Sequence, residues 1–395
     1  MSWRATSPMS ERVKFVGMYE TQSRTMTGLC TEFGISRKTG YKWVNRFHDR
    51  GIEGLQEQSR APRSHPNATD PQIESGLLRE RKAHPTWGPK KLLWKLHQQG
   101  IKEPLPSTST AWAILKRHGL VETRRRRRRQ EASSAPGLKV AGPNDVWCAD
   151  FKGQFKTRDG EYCFPLTVSD GYSRYLVSCR ALQDTSTKGA QPVFERAFRE
   201  YGLPWRLRTD NGSPFASMGL ARLSKLSVWL IKIGIQLERI QPGHPEQNGR
   251  HERMHRTLKK ETVLPPAENL ELQQRRFDRF RKEYNEERPH EALGLKPPGS
   301  VYESSPRPYP RRIEEYDYPA HYVVRRVMAS GRICFRMHEI YANECLFGEP
   351  LGLTEIDDGI WRVYFRSHEL GIVDERQLHR TRRVGYGKVL PMCPI

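Results

Sequence analysis

Apolar positions recur with a helical period through the first third of the chain and with a strand-like alternation beyond residue 146. Residues 11–48 predict three short helices, the second at Met26–Phe33 and the third from Arg37 to about His48. Ser36 stands where an N-cap is expected after the Gly34-Ile35-Ser36 turn. Trp43, Val44 and Phe47 form an inward stripe on the third helix, which leaves Arg37, Lys38, Tyr41, Lys42 and Asn45 outward. A glycine-containing turn between two short helices, the second with a basic outer face, is the helix-turn-helix pattern.

A breaker-rich connector, Glu57 to Pro71, separates this unit from a second set of helices at Pro71–Ala83, Trp87–Gln99 and Ser107–His118. Leu92, Leu93, Leu96, Trp112, Ile114 and Leu115 are the expected core of that second unit. From Val146 the pattern changes. Val146–Phe155, Tyr162–Ser169 and Tyr175–Leu182 read as antiparallel strands. A helix follows at Thr187–Tyr201, a strand at Trp205–Asp210, a helix at about Ala216–Ile233, a strand at Ile235–Ile240 and a helix from Pro245. Another helix, about Leu270–Asn285, ends this α/β region. His321–Val327, Ile333–Met337, Leu351–Ile356, Ile360–Phe365 and Gly371–Val373 are short strands whose spacing predicts a small β-barrel.

Charge adds a partner to this outline. The 395 residues include 67 Lys and Arg against 45 Asp and Glu, a formal net charge of +22. Such an excess favours a polyanion, because cations placed on phosphates release condensed counterions. No apolar run approaches the ~18 residues a membrane span requires, and the mean hydropathy is −0.77. The N-terminus lacks the apolar stretch of a signal peptide. Seven dispersed cysteines without a C-x-x-C pair fit free thiols in a reducing cytosol and argue against structural zinc. Arg124, Arg125, Arg126, Arg127, Arg128 and Arg129 form an uninterrupted basic run that is expected to track phosphate. The residues after it, Gln130–Asn144, read as a flexible joint.

Three acids stand in distinctive contexts. Asp150 lies on a predicted core strand, where an unpaired carboxylate is costly. Asp210 ends a strand at the side where α/β sheets place ligands. Glu252 lies on a helix whose Met254 and Leu258 can bury one face while Glu252 looks into a cleft. Carboxylates that converge repel one another unless cations intervene, and hard oxygen donors select Mg²⁺ or Mn²⁺. Two such ions suit in-line phosphoryl transfer without a covalent nucleophile. Asp170 is expected to form a turn, and Asp357-Asp358 a hairpin tip.

These residues carry a resemblance. Trp147–Asp150 is W-x-x-D, Thr209–Phe215 is T-D-N-G-S-x-F and Pro245–Glu252 is P-x-x-x-G-x-x-E, followed by the basic run from Arg253 to Lys260. Asn285 with Arg288-Pro289-His290 and Leu293 continues the match. Over about residues 144–300 the chain resembles the RNase H-like catalytic core shared by retroviral integrases and bacterial insertion-sequence transposases of the DDE superfamily. The resemblance implies that Asp150, Asp210 and Glu252 are catalytic and bind two Mg²⁺ or Mn²⁺ ions, and that Arg256 and Lys259 hold a DNA end. It implies 3′-end cleavage and strand transfer on double-stranded DNA (terminal repeats and target) by a homo-multimer. The upstream helix-turn-helix units favour transposases over retroviral enzymes, and the zinc knuckle of the latter is missing.

The expected fold is a multidomain α+β chain. It comprises helix-turn-helix units at 1–60 and 61–121, a basic linker at 122–143, an RNase H-like α/β catalytic core at 144–300 and a small β-barrel at 320–385. The setting is the bacterial cytoplasm, at the nucleoid, with no membrane partner. A catalytically idle transposase-derived repressor and a nuclease without joining activity are the alternatives. Two competing motifs bear on the site. Thirty-five residues separate Asp210 from Glu246, the interval usual for this superfamily, whereas 41 separate it from Glu252. Context favours Glu252, through Gly249 as a close-packing position and the basic residues that follow. His251-Glu252-Arg253-Met254-His255 has the form of a zinc-binding H-E-x-x-H, but no third ligand is evident, and the two histidines read as DNA-facing or structural.

Overall fold

A computed structural model of the chain describes residues 7–58, 68–101, 104–121, 140–217, 222–240, 249–380 and 387–388. The arginine run Arg124–Arg129 and Glu246 lie outside these residues. The chain forms two compact units, Met1–Thr69 and Asp70–Ile395.

The first unit contains α1 (Pro8–Glu20), α2 (Met26–Glu32) and α3 (Arg37–Arg50). Ser7, Thr25 and Ser36 each accept a backbone N–H from the first turn of the helix that follows, satisfying donors a helix start otherwise leaves free. Phe15, Val16, Leu29, Trp43, Val44 and Leu55 make its core. Gly40 lets α3 approach its neighbours, since a Cβ there would lie 2.8 Å from Cys30 Sγ and 2.9 Å from Met26 Sδ and Phe15 Cζ.

In the second unit, α4 (Pro71–Ala83), α5 (Pro89–Gln98) and α6 (Thr108–Arg117) pack around Leu77, Trp87, Leu92, Leu96 and Leu115. Trp112, expected in that core, is instead 44% exposed. Ala111, Ile114 and Leu115 fill the i, i+3, i+4 stripe of α6 and leave Trp112 outside it. These helices share a compact unit with the sheet that follows. Lys95 pairs with Glu287 at 3.0 Å, and His84 Nδ1 meets Glu283 at 3.0 Å.

The central sheet contains β1 (Val146–Phe151), the two-residue β2 (Phe155–Lys156), β3 (Tyr162–Asp170), β4 (Leu176–Leu182), β5 (Arg206–Thr209) and β6 (Gln236–Arg239). β1 lies between β3 and β5, with β3 antiparallel to β1 and β4, and β1, β5 and β6 parallel. α7 (Thr187–Tyr201) and α8 (Lys225–Lys232) cover one face through Phe194, Phe198, Leu226 and Leu230. α9 (Gly249–Leu258) and α10 (Leu270–Glu286) cover the other through Met254, Leu258, Phe277 and Phe280. Strand alternation assigns β1 accordingly. Trp147 and Ala149 enter the α7–α8 core, so Cys148 and Asp150 face α9. The side chain of Asn285 on α10 bonds both the N–H (2.8 Å) and C=O (3.0 Å) of Leu176, fixing α10 to β4. α8 is shorter than the expected helix because it starts at the Ser224 cap.

Beyond residue 320 the strands are β7 (Val323–Arg326), β8 (Arg332–Phe335), β9 (His338–Tyr341), β10 (Pro350–Asp357), β11 (Ile360–Phe365) and β12 (His368–Asp374). α11 (Glu375–Arg380) and β13 (Gly387–Lys388) follow. The expected small barrel does not close among the described residues. β7, β10, β11 and β12 form one open sheet, while β8, β9 and β13 form another. β9, which was not anticipated, pairs back on β8 through a turn in which Arg336 and Met337 both have positive φ. The apolar interior is completed by Leu223, Val228 and Ile231 rather than by strand closure. No described helix is long and apolar enough to cross a membrane, and the six described cysteines are free thiols.

Candidate active site

Register brings the first two acids level. Ala149 of β1 pairs in parallel with Thr209 of β5, so Asp150 and Asp210 are the next residues on adjacent strands, on the same side of the pleat. The loop after β5 is pinned by Asp210 and Asn211. Gly212 N–H donates to Asp210 Oδ1 at 3.1 Å, and Asn211 Nδ2 donates to the Ile240 carbonyl at 3.0 Å. The T-D-N-G sequence therefore encodes an Asx-type turn at the strand end.

Glu252 comes from α9, which crosses the same face. Met254 and Leu258 are buried while Glu252 is exposed, in accord with the helical pattern. Burial first, and then the negative charges of Asp210 and Glu252, push the Asp150 carboxyl up to about 7. Of the three acids, Asp150 thus feels the charge of both others. The three are not drawn as close as a bound ion would hold them. Among the described residues, the group whose ligand atoms lie within 4.8 Å of one another is Asp150, His251 and His255.

The two histidines are structural rather than DNA-facing. His251 is 2% and His255 6% exposed. Thr167 Oγ1 lies 2.7 Å from His251 Nε2, 2.6 Å from His255 Nε2 and 3.1 Å from the Asp150 carbonyl. Ser169 Oγ lies 2.8 Å from His251 Nδ1. If Thr167 donates its one proton to the Asp150 carbonyl, both histidines donate to Thr167 through Nε2–H. Burial depresses His251 to about 3 and His255 to about 2, so both are neutral near pH 7. With both His251 nitrogens engaged, the H-E-x-x-H reading has no zinc ligand set. His255 Nδ1 remains 3.7 Å from Asp150 Oδ2. Sequence reasoning missed Thr167 and Ser169. Their signal was the alternation Leu166-Thr167-Val168-Ser169, whose polar positions face α9.

Other expected site residues divide by location. Arg37, Lys38, Tyr41 and Lys42 are all exposed on α3. Arg256 is exposed one turn beyond Glu252, but Lys259 opens a π-helical segment, Lys259–Val263, so the regular i+7 register does not reach it. Gly249 is not a close-packing position, because a Cβ there meets no described atom within 4 Å. Arg288 and Asn285, singled out only by resemblance, are buried anchors. Arg288 pairs with Glu261 at 2.7 Å.

With this geometry in view, the chain matches several known families. Residues 140–245 and 233–298 match integrase core domain families, 11–63 a helix-turn-helix domain and 39–115 a homeodomain-like domain. Residues 322–381 match the C-terminal domain of IS481 family transposases. An uncharacterised 31.7 kDa protein of insertion element IS407 from Burkholderia multivorans is 29% identical over 47% of the chain and 66% of its own length. The transposase for insertion sequence element IS904 of Lactococcus lactis is 27% identical over 41% of the chain and 62% of its own length. The alignments thus span less than two thirds of either relative. Among solved structures, a chain of the simian T-cell lymphotropic virus intasome in complex with PP2A regulatory subunit B56 gamma aligns over 75% of the chain and 99% of its own, with 16% identity and a TM-score of 0.38. The HTLV-2 integrase catalytic core aligns over 42% of the chain and 99% of its own, with 16% identity and a TM-score of 0.34.

The combination defines a DNA-binding protein with an integrase-type core of the polynucleotidyl transferase class. In sequence it is similar to bacterial insertion-sequence proteins that carry this core, and its C-terminal strands match an IS481 family transposase domain.

Proposed function

We propose that the chain binds the ends of an insertion element and catalyses metal-dependent 3′-end cleavage and strand transfer, with Asp150, Asp210 and Glu252 as the catalytic acids. The observation that carries this reading is geometric: adjacent parallel strands set Asp150 and Asp210 level, and the helix bearing Glu252 is bonded to the neighbouring strand on the face that Asp150 shares. Three oxygen-donor side chains, two from the parallel neighbours β1 and β5 and one from α9, fit hard divalent cations such as Mg²⁺ or Mn²⁺. A pair of ions held there would neutralise charge on the reacting phosphate and acidify the attacking water or 3′-hydroxyl.

The chain's own residues do the rest. Asp150 and Asp210 are held by adjacent strands, and Glu252 by a helix locked to β3 through His251 and His255. Arg256 holds the DNA end beside them, and Arg37, Lys38, Tyr41 and Lys42 on α3 contact the element end in a groove. The run Arg124–Arg129 supplies phosphate contacts between residues 1–121 and the core of 144–300. Double-stranded DNA is the partner, in the bacterial cytoplasm, and two ends are bridged by a homo-multimer.

The test is an assay with purified protein, Mg²⁺ or Mn²⁺ and labelled DNA bearing the terminal repeats. Joined products support the reading, and Asp150→Asn should abolish them while retaining end binding. Joining at the normal rate by Asp150→Asn would refute the assignment.

A further inference from the structure

The turn between β3 and β4 aims an arginine. Asp170 is 1% exposed, and its carboxylate accepts from the Asn144 N–H at 2.8 Å and from the Ser173 N–H and hydroxyl at 2.7 and 2.6 Å. Gly171 N–H donates to the Val146 carbonyl at 2.8 Å, and Arg174 N–H to the Asp170 carbonyl at 3.1 Å. Within this lock Arg174 has a φ of +67°, a conformation that a residue with a Cβ keeps only when its surroundings enforce it.

Among the described residues, no acidic side chain pairs with Arg174. Arg174 Nε is buried without a hydrogen-bond partner. Burial, then the charges of Arg250 and Arg253, pull its guanidinium below the ordinary arginine range. Arg174, Arg250 and Lys296 line a cavity of about 800 Å³ with Val140, Tyr172 and Leu293, and among the described residues no acidic one lines it. Arg250 Nη1 donates to the Gly171 carbonyl at 2.9 Å, which fixes this second guanidinium against the same turn. Three cations around a cavity without a carboxylate repel one another unless an anion joins them.

We infer that this cavity is a phosphate socket that seats a DNA backbone phosphate outside the catalytic cleft, held by Arg174, Arg250 and Lys296. The inference rests on the DNA-joining reading for its ligand. Arg250 precedes Glu252 by two residues on α9, about 200° around the helix. The socket and the acids therefore occupy opposite sides of one helix, roughly a helix width of ~10 Å apart. A strand crossing the start of α9 meets both. Tyr172, 42% exposed, stands at the socket's rim beside the path of that strand.

The test measures binding of a fluorescent mixed-sequence duplex of about 30 bp, without metal, in an Asp150→Asn background across a salt series. Lys296→Ala removes an exposed side chain and spares the turn; Arg250→Ala removes a guanidinium of the socket itself. Each is expected to weaken binding several-fold and to reduce the slope of log K against log salt by about 1. Lys296→Glu should weaken it further. Unchanged affinity and slope in Lys296→Ala and Lys296→Glu would overturn the socket even where the wild type binds and joins DNA. A socket for free anion only would show as thermal protection by inorganic phosphate that Lys296→Ala loses, with the duplex slope unaltered, and would likewise overturn it. A wild-type chain that binds no duplex would overturn both this inference and the function on which it rests.

Discussion

The hydroxyl of Thr167 lies 2.6 Å from Nε2 of His255, joining a central strand to the helix that carries Glu252. The same oxygen contacts His251 and the Asp150 carbonyl, so one side chain ties two acid-bearing elements together. Thr167→Val keeps the shape and orphans two buried imidazole N–H groups, at about 1–3 kcal/mol each. Denaturant unfolding should show that loss, and DNA joining should fall more than DNA binding. A wild-type unfolding midpoint and joining rate would exclude the hydroxyl as the link.

The identity of the third acid is decided by two conservative variants. Glu252→Gln should abolish joining while leaving end binding within a few-fold of wild type. Glu246→Gln should join normally. The reverse outcome would reassign the third acid to the residue favoured by spacing.

Metal binding should depend on pH through Asp150. Its carboxyl titrates near 7 in the metal-free fold, and a ligating carboxylate must be deprotonated. Affinity for Mg²⁺ or Mn²⁺ should therefore fall by up to about tenfold per pH unit below 7 and level off above it. Calorimetry in two buffers of different ionisation enthalpy should find roughly half a proton released per binding event at pH 7. Affinity independent of pH between 6 and 8 would contradict the assignment of Asp150.

Acid should unfold the second unit by a separate route. Burial foremost, with nearby positive charges, lowers His290 to about 3. The unfolded chain takes up that proton below about 6.5, so stability present above 6.5 is lost as pH falls toward 3, by up to roughly 1.4 kcal/mol per pH unit. Urea midpoints measured at pH 7, 5.5 and 4.5 should decline, and less steeply in His290→Phe. An equal decline in the variant would place the titration elsewhere.

End recognition should be separable from catalysis. Arg37→Ala and Lys42→Ala on α3 should weaken binding to terminal-repeat DNA, each by about 1–3 kcal/mol where the side chain contacts a base edge. Joining at saturating DNA should change little. Equal loss on repeat and unrelated DNA would mark these residues as phosphate contacts only.

Much of this was written in local pattern. α7 runs from Thr187 to Tyr201 and β11 from Ile360 to Phe365, as periodicity predicts. The burial of Met254 and Leu258 follows from helix geometry alone. What sequence could not supply was the identity of neighbours. Thr167 and Ser169 look like ordinary strand positions until α9 is laid across them, and nothing local says which helix crosses. Trp112 was misplaced because a large apolar residue weighs heavily in a local reading, whereas Ala111 holds the inward position. The barrel failed for a topological reason. Strand spacing fixes neither closure nor the contribution of Val228 and Ile231 from a distant helix.

That shared interior makes the residues beyond about 318 more than an appendage. Leu223, Val228 and Ile231 are buried with Leu351, Val363 and Phe365, and Lys232 pairs with Glu349 at 2.6 Å. A chain truncated near residue 318 would present an uncovered greasy helix face and would tend to aggregate rather than persist as a smaller, hyperactive enzyme. α8 buries Leu226 and Leu230 with the central sheet and Val228 and Ile231 with the C-terminal strands, so one helix is shared by two cores.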